Sequence, residues 1–186
     1  MRIIAGIARG HPLKAARTRD LRPTSDLVRG AIFDIVGPYF TAETRVLDLY
    51  AGTGALGIEA LSRGAGWADF VEKNTRCCAV LRENLEHTGF NGSARVHCRP
   101  VHQTLHLLTG PYGLVFLDPP YAQALDATVF ETLVLLELVQ QGSLAVVEHA
   151  SRNPVLPAYG KLHLIKERQH GDTNISVFAV EGENSG

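Results

Sequence analysis

Three cysteines in 186 residues are too few, and odd in number, to build a disulfide framework: Cys77 and Cys78 are adjacent, Cys98 stands apart, and no C-x-x-C spacing offers a zinc knuckle. A reducing compartment is expected. No apolar run approaches the roughly 20 residues that span a bilayer. The opening Met1-Arg2, with six small or apolar residues before Arg9, is too short an apolar run for a signal peptide. A cytoplasmic location without a membrane partner follows as the expectation. The sequence has no internal repeat and no low-complexity segment, and with 45% apolar and 20% charged residues it is neither disordered nor fibrous. At this length roughly 70% of the unfolded surface is buried on folding, enough for one core.

Excess charge of either sign is also missing. The formal net charge is −1, which by itself argues against a polyanionic partner. Its placement argues the other way: residues 1–38 carry seven basic side chains against three acidic ones, a net +4, and leave eleven against sixteen, −5, for the rest. A basic arm on an acidic body suits a chain that meets an anionic ligand at one end.

In the middle of the chain short apolar runs alternate with amphipathic stretches. Residues 45–50, 67–72, 94–98, 114–118 and 144–148 read as strands, and 54–63, 74–88, 101–108 and 125–138 as the helices between them. Five alternations imply a parallel sheet wrapped by helices with right-handed crossovers. The runs 161–169 and 174–180 leave no room for a helix and must pair antiparallel. A seven-stranded, mostly parallel α/β sheet closed by an antiparallel hairpin is expected of a class I, Rossmann-like methyltransferase, although other doubly wound folds share the outline. At the front, residues 2–7 and 13–16 are expected to form a small hairpin, and Thr24 or Ser25 to cap a helix ending at Gly37-Pro38. The division expected is a basic arm, 1–20, and a catalytic domain, 21–186.

Gly52-Thr53-Gly54-Ala55-Leu56-Gly57 follows the first strand and opens the first crossover helix, and Glu72 ends the second strand 20 residues after Gly52. Glycines let a backbone approach a ligand closely, and an acid at the next strand end accepts ribose hydroxyls. A dinucleotide and S-adenosylmethionine satisfy this loop equally, so a nicotinamide-dependent oxidoreductase remains open. Asp48 is a carboxylate inside an apolar strand, and burying it needs compensation. It fits the cationic amino and sulfonium end of S-adenosylmethionine and would repel a pyrophosphate; the alternative is a carboxylate that caps loop amides.

Asp118-Pro119-Pro120-Tyr121 follows the fourth strand, at the edge where open α/β sheets bind ligands. Two prolines fix φ and remove two amide donors, so Asp118 and the Pro119 carbonyl form a rigid pair of acceptors. Such a pair can grip the hydrogens of an exocyclic base amine and turn its lone pair toward a methyl donor. Tyr121 is placed to stack on a base drawn out of its helix.

These blocks resemble the RsmD-type bacterial 16S ribosomal RNA guanine-N2 methyltransferases, which act on guanine 966. The resemblance runs through Arg2-Ile3-Ile4-Ala5-Gly6, Arg9-Gly10, residues 21–29 (LRPTSDLVR), residues 47–64 (LDLYAGTGALGIEALSRG) and Asp118-Pro119-Pro120-Tyr121. It implies S-adenosylmethionine contacts by Asp48, Gly52, Gly54 and Glu72, together with their neighbours Tyr50, Thr53 and Lys73, and target-amine contacts by Asp118, Pro119, Pro120 and Tyr121. It also implies that the arm meets 16S ribosomal RNA within the small subunit. Cys98-Arg99-Pro100 stands where the family carries an acid or amide. A DNA adenine methyltransferase differs only in the pocket and is the nearer alternative.

The arm supports that reading by itself. Arg2, Arg9, Lys14, Arg17, Arg19 and Arg29 suit RNA phosphates. Arg22, Thr24 and Arg29 lie near a helix N-terminus, where they suit either an RNA phosphate or the cofactor carboxylate. His102 and His106 have the spacing of paired metal ligands but lack a third, so no metal is expected. The vicinal cysteines are expected to lie half in the core and half at the surface, and Glu148-His149 at the pocket rim.

Overall fold

The computed structural model describes residues 1–16, 25–39, 41–120 and 125–181. Helix α1 (Asp26–Val36) leads into five strands, β1 (Arg45–Leu49), β2 (Trp67–Val71), β3 (Ala94–His97), β4 (Leu114–Leu117) and β5 (Leu144–Ala150). Between them run α2 (Ala55–Ser62), α3 (Thr75–His87), α4 (Val101–Leu105) and α5 (Ala127–Leu135), and β6 (Ala158–Tyr159), β7 (Leu162–His170) and β8 (Thr173–Val180) follow. All eight strands form one sheet in the order β3-β2-β1-β4-β5-β8-β7-β6. Strands β1 to β5 are parallel, and β8 pairs antiparallel with both β5 and β7. This is the class I methyltransferase fold expected from the sequence, with one addition. The eighth strand, β6, makes only the pairs Ala158↔His163 and Tyr159↔Leu162 and is too short to show a period.

Apart from Asp48 and Asp69 the central strands are largely apolar, because both their faces are covered. On one face α1, α2 and α3 join Val46, Phe70, Phe116, Val146, Ile175 and Val177 in a core. On the other, α4 and α5 cover Leu47, Val115, Leu117 and Phe178. Side-chain caps fix where helices begin: Ser25 accepts from Val28 N at 3.2 Å, Asn74 from Arg76 N and Cys77 N, and Asp126 from Thr128 N. Strand order reverses between β1 and β4, which opens a crevice at their carboxyl ends.

The arm is closed by a single bridge, Arg2↔Pro12, flanked by Ile3 N to His11 O at 3.0 Å and Leu13 N to Met1 O at 2.9 Å. The expected hairpin is thus reduced to one isolated bridge, because the amides of Ile4, Ala5, Ile7 and Ala8 turn to α2 instead. Glu59, fully buried in α2, accepts from Ile4 N at 2.8 Å and Ala5 N at 3.0 Å. Ser62 Oγ accepts from Ala8 N at 3.0 Å and donates to Ala5 O at 2.6 Å. Ile3, Ala8 and Leu13 then join the first core. Gly6 sits at φ +84°, where a Cβ would stand 1.8 Å from Ser62 O, so the approach requires glycine.

Candidate active site

Helix α2 begins at Gly54, held in the left-handed region at φ +84° with Leu81 too close to admit a Cβ. Tyr50 (φ +60°) and Gly52 (φ +56°) are left-handed too, so the chain folds back sharply after β1. Ala51 N still reaches Val71 O at 3.0 Å, which ties this turn to the end of β2. There Glu72 accepts from Gly52 N through Oε2 at 2.9 Å and from Asn74 N through Oε1 at 2.7 Å. One lone pair of each carboxylate oxygen is spent on orientation, and the others remain for a pair of hydroxyls. Glu72 is half-buried and Lys73 exposed.

Asp48 is buried, and its Oδ2 accepts from Gly57 N at 2.9 Å. It therefore accepts from an amide in the first turn of α2. Burial pushes its carboxyl up to about 7 against the pull of that hydrogen bond, and the nearby Glu72 adds to the rise. Thr53 is buried with its carbonyl accepting from Asn84 Nδ2 at 3.0 Å. Asn84 also holds the backbone of Lys14, accepting from its N at 2.8 Å and donating to its O at 3.1 Å. This link between glycine loop and arm was missed; its signal is an asparagine on the apolar face of α3.

Beside this turn β4 ends, and Asp118 N reaches Leu49 O at 3.5 Å. Asp118 and Pro119 are half-buried and Pro120 is exposed, so the rigid dipeptide opens on the same edge as the glycine loop. The Tyr50 hydroxyl is raised above its ordinary value by burial and by Asp126. Tyr121, Arg17, Arg19, Arg22 and Thr24 lie outside the described residues.

Arg29 corrects an expectation. It lies four and seven residues before Phe33 and Val36 on the inward face of α1, and its side chain is wholly buried. Its Nη2 donates to Asp26 Oδ1 at 2.6 Å and Arg2 O at 2.7 Å, and Nη1 lies 3.9 Å from Glu59. It fastens the arm and has no route to a phosphate. Arg2, Arg9 and Lys14 are exposed, Lys14 paired with Glu83 at 2.8 Å.

Two lesser expectations also change. Cys77 and Cys78 are both buried, because the start of α3 is enclosed by the sheet and the glycine turn; Cys78 Sγ donates to Glu72 O at 3.2 Å. His149 is buried in the β5–β8 seam and not at the rim, with Nε2 2.8 Å from Ser176 Oγ and Nδ1 2.9 Å from Asn153 O. His102 faces Asp126 at 3.1 Å, joining α4 to the start of α5.

A family model described as conserved hypothetical protein 95 matches residues 1–179. The ribosomal RNA small subunit methyltransferase D of Escherichia coli K12 is 35% identical over 98% of this chain and 91% of its own. The protein of that name from Haemophilus influenzae is 31% identical over 96% and 93%. A solved structure from Escherichia coli superposes with a TM-score of 0.86 at 31% identity, covering 98% of this chain and 99% of the other.

Proposed function

Since the chain belongs to the conserved hypothetical protein 95 family, that of the RsmD-type ribosomal RNA methyltransferases, we propose that it methylates the exocyclic N2 amine of a guanine, position 966, in 16S ribosomal RNA of the small subunit, in the cytoplasm. The observation that carries this reading is the juxtaposition of two elements at one sheet edge. Asp118-Pro119 follows β4 beside the turn that β1 and β2 build from Tyr50, Gly52 and Glu72.

S-adenosylmethionine supplies an electrophilic methyl group on a sulfonium, so no residue of this chain needs to form a covalent bond. The residues fit that cofactor. Glu72 is preoriented by two backbone amides and keeps acceptors for a ribose diol. Asp48 is a buried carboxyl that accepts from the Gly57 amide, positioned to gain from a cation nearby. Gly52 and Gly54 take the left-handed backbone that turns the chain sharply between β1 and α2. Asp118 and the Pro119 carbonyl hold the two amine hydrogens, and Tyr121 stacks on the extruded base. The proton lost from nitrogen passes to Asp118 or to water. Residues 1–20 form the RNA-binding arm through Arg2, Arg9, Lys14, Arg17 and Arg19, and residues 21–186 the catalytic domain, with Arg22 and Thr24 at the cofactor's carboxylate or a phosphate.

The test is incubation of the protein with labelled S-adenosylmethionine and, separately, small subunits lacking the modification, naked 16S RNA and DNA, followed by nucleoside digestion. N2-methylguanosine from RNA, mapped to position 966, is expected. Label in N6-methyladenine of DNA, or in another ribonucleoside, would replace this reading.

A further inference from the structure

We propose that the half of β7 nearest the hairpin tip, Lys166 to His170, is a second contact surface for the phosphate backbone of the substrate RNA, on the far side of the catalytic crevice from β1. The proposal rests on the RNA reading above. Strand β5 runs toward the carboxyl edge of the sheet, and Ala150 pairs with Thr173 at its end. Residues 166–170 pair with 173–177, so they lie on the same edge as Asp118. In the strand order β4-β5-β8-β7 the distance across is three strand spacings, about 14 Å. A strand of RNA whose base enters the crevice passes within that range.

The strand is built to show cations there. A register shift between Leu164 and Lys166 places a bulge at Ile165. Before it, Leu164 pairs with Phe178 and faces the α5 core; after it, Lys166 pairs with Val177 and Arg168 with Ile175, both on the α1 face. Without the extra residue the two cations would turn to the other face and Glu167 would take theirs. Glu167 instead turns to the seam, where Ser176 Oγ donates to it at 2.9 Å and His149 Nε2 lies at 3.9 Å. The acid is occupied within the protein while Lys166 and Arg168, both exposed, have no acidic partner among the described residues. His170 continues their row, and its Nε2 is enclosed without a hydrogen-bond partner. Strand β6 pairs only with Leu162 and His163, so beyond them no described strand covers the outer edge of β7. The alternate amides of this half of β7 that do not bond to β8 face outward as further donors to phosphate oxygens. The face is the one that α1 covers elsewhere on the sheet.

Charges on an open edge also prevent strand pairing between molecules, and the experiment separates the two roles. The full-length K166E/R168E variant is compared with the wild type for binding to unmodified small subunits across a salt series, for the KM of the subunit, for self-association and for cofactor affinity. The expected result is a KM and Kd for the subunit raised about tenfold or more, and a log–log salt slope shallower by roughly 1.5, with cofactor affinity and melting temperature unaltered. Unchanged slope and Kd overturn the proposal, whether or not the variant self-associates. A wild type that neither binds nor methylates the subunit refutes instead the RNA reading on which it rests, and that result is in hand before the variant is compared.

Discussion

Two buried aspartates on neighbouring strands have opposite fates. Asp69 in β2 is buried, which disfavours its charge, yet His97 Nε2, Trp67 Nε1 and Tyr112 OH lie within 2.9 Å and hold its carboxyl below the ordinary range. Asp48 in β1 has one amide and is pushed up to about 7. A carboxyl left so poorly solvated is an expected partner for an incoming cation. With its folded value above the unfolded one, Asp48 binds its proton more tightly in the native state. Stability therefore falls as pH rises from about 4 to about 7, and the penalty is complete above that. Asp48→Asn removes the penalty, so its stability relative to wild type should rise across this window by a few kcal/mol, at roughly 1.4 kcal/mol per pH unit. Denaturant titrations at pH 5 and pH 8 measure it; equal differences at the two pH values would refute it. Affinity of the wild type for S-adenosylmethionine should rise through pH 7 and that of Asp48→Asn be lower and flat, read by calorimetry.

At the scale of elements, much of the sheet and its helices was legible because buried parallel strands are short apolar runs and their helices repeat at 3.6 residues. Strands β1 to β5 appear within two residues of the expected bounds. The arm was less legible, since its order comes from α2 and not from its own pattern. The clues were Glu59 within the apolar run of α2 and Arg29 at core spacing in α1, two charges that a solvated helix face would not place there. Glu59→Ala should destabilise the protein by about 3–5 kcal/mol, because Arg29 loses its buried counter-charge and two arm amides lose their acceptor. Gly6→Ala leaves those charges paired but drives a Cβ against Ser62 O. Trypsin should then cut after Arg9 or Lys14 faster than in wild type, before the body is cleaved. Unchanged protection of the arm would contradict its fastening to α2.

For the whole molecule, charge placement matters more than the net −1. Burial of Ile3, Ala8 and Leu13 makes the arm part of the core, so deleting it would expose apolar surface as well as remove cations. Exchanging Arg9 for Glu is the cleaner probe of phosphate contact and should weaken RNA binding with a reduced salt slope. Local chemistry made the candidate crevice readable: a glycine turn, an acid one strand away, and Asp-Pro-Pro beyond the strand beside it. What joins these parts to the arm, Asn84 and the buried Arg29–Glu59 pair, depends on contacts 27 to 70 residues apart that no local period reveals.

The central claim is that Asp118 orients the amine that receives the methyl group, and Asp118→Ala tests it most directly. Methyl transfer to unmodified small subunits should be abolished while S-adenosylmethionine binding, measured by calorimetry on the same preparation, stays within about threefold of wild type. Methylation retained at the wild-type rate, or cofactor affinity lost together with activity, would contradict the account.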